Sequence, residues 1–158
     1  MTASHPALNS ITAAVDAGHL CEAAAENLRK WLTEPRYAQY ADAVASDIEQ
    51  GKWKELDDAF CAVIPFGTGG RRGKMYPVGP NAINERTIGE SAQGLANYVK
   101  QHAGSAALRC AIAYDTRHRS REFARLSAEL MVAAGFEVVL LQDCRSTPEL
   151  SFTVRYKQ

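Results

Sequence analysis

The stretch with the most chemical promise is Phe66-Gly67-Thr68-Gly69-Gly70-Arg71-Arg72-Gly73, where four glycines surround one hydroxyl and two guanidinium groups. Glycine lets the backbone enter left-handed conformations and bring its N–H groups close to a ligand. Successive exposed N–H groups form a concave anion seat, and arginine adds a fork of donors that matches phosphate oxygens. The octet lacks the Gly-Lys-Ser/Thr ending of a nucleotide P-loop and the spacing of a dinucleotide fingerprint. Two readings therefore stand at this point: an anion seat, or a tight turn carrying solvated arginines.

Two further stretches carry polar groups in patterns of interest. Ala113-Tyr114-Asp115-Thr116-Arg117-His118-Arg119-Ser120 follows an apolar run, and Ser146-Thr147-Pro148-Glu149-Leu150-Ser151-Phe152 follows another. Asp115 and Arg117 read equally well as a chain-turning local pair or as part of a cleft, whereas Ser120 reads as a helix N-cap. His118 is the one histidine near these groups. His5, His19 and His102 share no ligand spacing with it, and Cys21, Cys61, Cys110 and Cys144 form no Cys-x-x-Cys pair. Neither a metal site nor a redox motif is indicated. Reduced thiols in a cytoplasmic protein are the simplest reading.

Bulk properties exclude several partners. The 158 residues balance 18 basic against 18 acidic side chains, so no net charge favours nucleic acid or an anionic membrane. No apolar run approaches the roughly 20 residues that span a bilayer, and the first residues lack the pattern of a signal peptide.

The elements that must position the octet and its companions follow from periodicity. The first dozen residues show no clear period and read as a frayed arm. Helical spacing runs from Cys21 to Leu32, then from Pro35 through Tyr37, Tyr40, Val44 and Ile48, then through Trp53, Leu56 and Phe60. The aromatic residues of this prefix read as core at that spacing. Met75 to Asn81 is a loop, and Asn84 is an N-cap for a helix bearing Ile88, Ala92, Leu95, Ala96 and Val99. Leu108–Tyr114 and Phe136–Leu141 read as buried parallel strands flanking a helix from about Arg121 to Ala134. Thr147, Pro148 and Glu149 read as N-cap, first position and acidic first turn of a last helix. The sum is an α/β fold: a three-layer α/β/α sandwich on a mixed sheet with a βαβ crossover, preceded by an N-terminal helical extension. Residues 1–60 form the arm and extension packed on the domain, and 61–158 form the domain. Ligands in such sheets bind beyond the carboxyl ends of the strands, which is where the Asp115 and Thr147 loops lie and where the octet is expected to join them.

In order and spacing, the octet, the Asp115 stretch and the Thr147 stretch resemble the first domain of the α-D-phosphohexomutases, the phosphoglucomutase and phosphomannomutase family. The resemblance runs from about Asn27 to the last residue, and the octet resembles the family's Phe-Gly-Thr-x-Gly-x-Arg-Gly signature. It implies that Arg72 is catalytic, facing the phosphate of a bound sugar, with Thr68, Gly69 and Gly70 shaping its seat. Arg71 stands where an apolar residue is commoner and reads as solvated. Asp115, Arg117 and Thr147 are implied as cleft architecture. Thr2-Ala3-Ser4-His5-Pro6 resembles the family's phosphoserine loop minus its asparagine, but at a terminus it lacks positioned partners, so Ser4 is not expected to be the nucleophile.

The implied activity is interconversion of sugar 1- and 6-phosphates (glucose or mannose, or pentose 1- and 5-phosphates) through a phosphoserine and a bisphosphate intermediate. Mg2+ and glucose 1,6-bisphosphate would serve as cofactor and activator. The phosphoserine loop and metal loop are absent from these 158 residues. The sequence is therefore expected to be the opening domain of a longer enzyme, inactive alone, with the remaining domains as partners and self-association as a consequence of their absence. The alternative is a stand-alone phosphosugar-binding module without catalysis.

Overall fold

The computed structural model describes residues 5–104 and 106–157. The chain divides between Thr87 and Ile88 into two compact units.

The first unit is a helical cluster followed by a small hairpin. It contains α1 (His5–Asp16), α2 (Glu22–Thr33), a 3-10 turn (Pro35–Tyr37), α3 (Ala38–Glu49), α4 (Trp53–Phe60), β1 (Phe66–Gly67) and β2 (Gly70–Arg71). The arm expected at the start of the chain is instead α1, with Ala7, Ile11 and Ala14 buried on one face. Its stripe rests largely on alanines, so the helical period is faint on hydrophobicity although alanine is the best helix former. The prefix aromatics are core. Trp31 is 2% exposed, stacks on Tyr37 at 4.7 Å and meets Phe60 edge-on at 5.2 Å. Arg86 lies over the Tyr37 ring at 4.6 Å. α2 begins at Cys21, whose Sγ accepts the Ala24 amide at 3.4 Å.

Between the hairpin and the next helix the chain returns over α4. Asn81 N donates to Ala59 O at 2.9 Å, and Ile64 N donates to Pro80 O at 2.9 Å. Gly79 has φ +98°, and a Cβ there would fall 2.5 Å from Ala59 O, so no other residue fits without moving the backbone.

α5 (Glu85–His102) starts in the first unit and continues into the second, which adds β3 (Arg109–Tyr114), α6 (Ser120–Ala133), β4 (Glu137–Cys144) and α7 (Thr147–Tyr156). β3 and β4 pair in parallel across the α6 crossover, as expected of a βαβ unit. On one face Ala96 of α5, Met131 of α6 and Phe136 form a small core, with Val99, Cys110 and Val138 packed against it. α7 packs on β3 as well, giving helix, sheet and helix in three layers. The α/β/α arrangement is thus present. Its strands lie in two small sheets, an antiparallel β1–β2 pair and a parallel β3–β4 pair.

The β3–β4 ladder is irregular near its end. Ile112 pairs with Leu140 but Tyr114 pairs with Cys144, so β4 bulges between them. Asp143, within the bulge, has φ +58°. No helix among the described residues is long and apolar enough to cross a membrane.

Candidate functional site

The octet folds as a hairpin with Thr68 and Gly69 at its turn; Phe66 pairs with Arg71 and Gly67 with Gly70. Gly70, at φ +116°, supplies the backbone conformation that closes it. Thr68 and Gly69 are exposed, and Gly70 is half-buried.

The two arginines that follow part company. Arg71 is half-buried, and its Nη1 donates to Thr87 O at 3.0 Å. The expectation that Arg71 is solvated is therefore corrected. Its side chain lies back along the hairpin onto the first turn of α5, an attachment that sequence spacing does not reveal. Arg72 is exposed, and among the described residues it has no hydrogen-bond or ion-pair partner. Together with Gly73 it lines a cavity of about 510 Å3.

That cavity draws its other charged walls from α4 and the chain after the hairpin: Lys54, Glu55, Asp58 and Lys74. Lys74 Nζ contacts Asp58 Oδ2 at 2.5 Å. The hydrogen bond between them, then their charge attraction, holds the Asp58 carboxyl below the usual carboxylate range and raises the Lys74 ammonium. Asn81 closes one side, its Nδ2 donating to Asp58 O at 2.9 Å and lying 3.4 Å from Cys61 Sγ. Burial pushes the Cys61 thiol up. Lys54, Asp58, Lys74 and Asn81 escaped the sequence reading because they come from a helix face and a loop separated by some twenty residues. Thr68, Gly69 and Gly70 form the turn rather than the wall of this cavity.

In the second unit, Asp115, Arg117 and Thr147 are brought together around a smaller cavity of about 190 Å3 that Arg145 also lines. Asp115 organises the loop beyond β3. Its Oδ1 accepts Ser120 Oγ at 2.9 Å and Arg117 N at 3.2 Å, while Oδ2 accepts Arg117 Nε at 2.7 Å. The Ser120 hydroxyl first, then the Arg117 amide, lowers the Asp115 pKa. Ser120 is not the helix cap that its type suggests. It is the first residue of α6, after Arg119 at φ +58°, and its hydroxyl closes the Asp115 loop. The cap expected at Thr147 sits one residue earlier. Ser146 and Glu149 form a reciprocal capping box with Pro148 in the first turn. Glu149 is lowered mainly by its bond from the Ser146 amide.

Arg145 ties the loop beyond β4 to β3, its N donating to Tyr114 O at 2.9 Å. Ser4 lies outside the described residues, and His118 is exposed beside Arg117. Among the described residues no group of three or more His, Cys, Asp or Glu side chains is placed to hold a metal ion.

The family model described as phosphoglucomutase/phosphomannomutase, alpha/beta/alpha domain I, matches residues 63–158. The chain is 32% identical over 133 residues to a phosphoglucomutase of Staphylococcus haemolyticus (strain JCSC1435), covering 84% of this chain and 22% of that protein. It is 39% identical over 110 residues to a phosphoglucomutase of Staphylococcus aureus (strain USA300), covering 70% and 18%. A phosphoglucomutase of Staphylococcus epidermidis (strain ATCC 12228 / FDA PCI 1200) is 36% identical over 105 residues, covering 66% and 19%. The chain thus spans about a fifth of the length of these relatives. No solved structure matches it.

Proposed function

The chain belongs to the phosphoglucomutase/phosphomannomutase family through the α/β/α domain I, and from that premise we propose that it acts as the first domain of a phosphohexomutase, with Arg72 as its phosphate-binding residue. The parent enzyme interconverts a sugar 1-phosphate and a sugar 6-phosphate through a phosphoserine and a bisphosphate intermediate. The relatives named phosphoglucomutase favour glucose phosphates as substrate.

One observation carries the reading. Arg72 is an exposed guanidinium with no partner among the described residues, standing at the wall of a cavity beside Lys54 and Lys74. A cation at the edge of a cavity stabilises the charge that spreads over phosphoryl oxygens in transfer. Lys74 is already engaged by Asp58, which leaves Arg72 and Lys54 as the cations of this cavity that can take an added anion. In the mutase the magnesium ion would supply further charge neutralisation. The nucleophilic serine and the metal ligands belong to other parts of the parent enzyme, so these 158 residues alone turn over no substrate.

Calorimetric titration of glucose 1,6-bisphosphate into the chain tests the seat. Binding that disappears in Arg72→Ala supports the assignment, and binding unaltered by that change would overturn it. Mutase turnover by the purified chain would overturn its proposed inactivity.

A further inference from the structure

Resting on the reading of Arg72 as a phosphate-binding residue, we propose that Lys74 is a second, exchangeable ligand of the same phosphate. Asp58 holds its ammonium until a phosphate monoester dianion enters the cavity, and the ammonium then passes from the carboxylate to the phosphate. Arg72 and Lys74 stand two residues apart and line one cavity of about 510 Å3, which Asp58 lines from α4. Gly73 between them lies against Ile64, which is 2% exposed, and a Cβ at 73 would fall 2.8 Å from Ile64 Cδ1. The segment thus rests on the core while its two cationic side chains reach the cavity.

Both ends of the Asp58–Lys74 pair have anchored backbones. Asn81 Nδ2 donates to Asp58 O at 2.9 Å, and Asn81 N donates to Ala59 O at 2.9 Å. Ile83 N donates to Lys74 O at 2.8 Å, and Met75 bridges to Ile83 beside it. The side chains themselves are loosely held. Asp58 and Lys74 are 46% and 79% exposed, and among the described residues neither has another ion-pair partner. Water competes for such a pair, so its net strength is small and it breaks at little cost.

A phosphate monoester offers more than Asp58 does. It carries up to two charges on three acceptor oxygens, against a single charge on the carboxylate. The guanidinium fork of Arg72 engages two of those oxygens, and an ammonium on a flexible stem suits the third. Until then Asp58 keeps the Lys74 ammonium at the cavity wall rather than out in solvent. Asp58 precedes residue 63, where the family match begins. The exchange therefore gives the helical prefix a part in the phosphate site, as the holder of one of its ligands.

Calorimetric titration of glucose 1,6-bisphosphate into four forms of the chain tests the exchange. Asp58→Asn frees Lys74 and should bind about fivefold more tightly than the unchanged chain. The double variant Asp58→Asn/Lys74→Gln removes the pair at constant net charge and should bind about fivefold more weakly. Equal affinity in the double variant and the unchanged chain would show an inert pair and overturn the proposal, as would no gain in Asp58→Asn. All the substituted side chains are exposed, and circular dichroism should show the fold intact in each form. Arg72→Ala, titrated alongside, separates this proposal from the reading beneath it. Binding lost in Arg72→Ala but unaltered in the double variant would keep the Arg72 seat and strike out the exchange. A weakened double variant beside an unaltered Arg72→Ala would keep Lys74 as a ligand and strike out Arg72. No binding by any of the four forms would overturn both.

Discussion

Asn84 and Thr87 cap one another at the start of α5. Asn84 Oδ1 accepts the Thr87 amide at 3.0 Å while Thr87 Oγ1 accepts the Asn84 amide at 3.1 Å. Both are buried, 2% and 0% exposed, and both also hold the preceding loop. Asn84 Nδ2 donates to Gly79 O at 3.0 Å and Thr87 Oγ1 to Ala82 O at 2.7 Å. Losing either leaves buried polar groups without partners.

Asn84→Ala is therefore expected to cost about 2–3 kcal/mol and Thr87→Val about 2 kcal/mol, with the double variant losing less than the sum because the two share one network. Urea unfolding measures all three. Strict additivity would mean that the pair does not act as a unit.

The contrast between adjacent arginines can be read as stability. Arg71→Ala gives up a charged hydrogen bond to Thr87 O and should destabilise by about 1–2 kcal/mol. Arg72→Ala should stay within about 0.5 kcal/mol, since it removes an exposed side chain without a partner. Thermal denaturation of both variants settles the order, and a larger loss for Arg72→Ala would contradict it.

Asp115 gives a pH signature. Hydrogen bonds from Ser120 and Arg117 favour its charged form in the folded chain, so its native pKa is depressed. The stabilisation is complete above the ordinary aspartate value, roughly pH 4, and is lost as pH falls through the lower native value. Carboxyl-carbon NMR should place the Asp115 midpoint below that of an exposed aspartate, and Ser120→Ala should move it back up. A midpoint unchanged by Ser120→Ala would assign the shift elsewhere.

At α7 the cap position is a one-residue question. Ser146→Ala should cost about 1 kcal/mol and speed exchange of the Glu149 amide, whereas Thr147→Ala should do neither. Equal effects would place the cap across both residues.

The sequence made the second unit largely legible because its signals are local. An apolar run, a helical stripe, a second run and Gly135 appear in the order that β3, α6 and β4 follow, and Asn84 announced α5. Where reading failed, the deciding contact was nonlocal or the pattern weak. α1 hid behind alanines. Ser120 looked like a cap because serine usually is one, and only the fold brings its hydroxyl onto Asp115. Ser146 and Thr147 are adjacent residues that can both cap, and the reciprocal bond to Glu149 chooses between them. The octet was recognisable as a motif. That Arg71 docks on α5, and that Lys54 and Lys74 share a cavity with Arg72, depends on how the chain after Gly73 returns over α4.

The uneven ladder between β3 and β4 carries one more consequence. From the Ile112–Leu140 pair to the Tyr114–Cys144 pair, β4 uses four steps where β3 uses two. The surplus of two is slack, taken up where Asp143 turns left-handed. Cutting two residues there would draw the slack tight and pull Arg145 and Ser146 back by about 7 Å. The 190 Å3 cavity beside Asp115 would then lose its Arg145 and Thr147 wall. Chain length in this stretch is thus a dimension of the cavity, and shortening should be tolerated worse here than substitution.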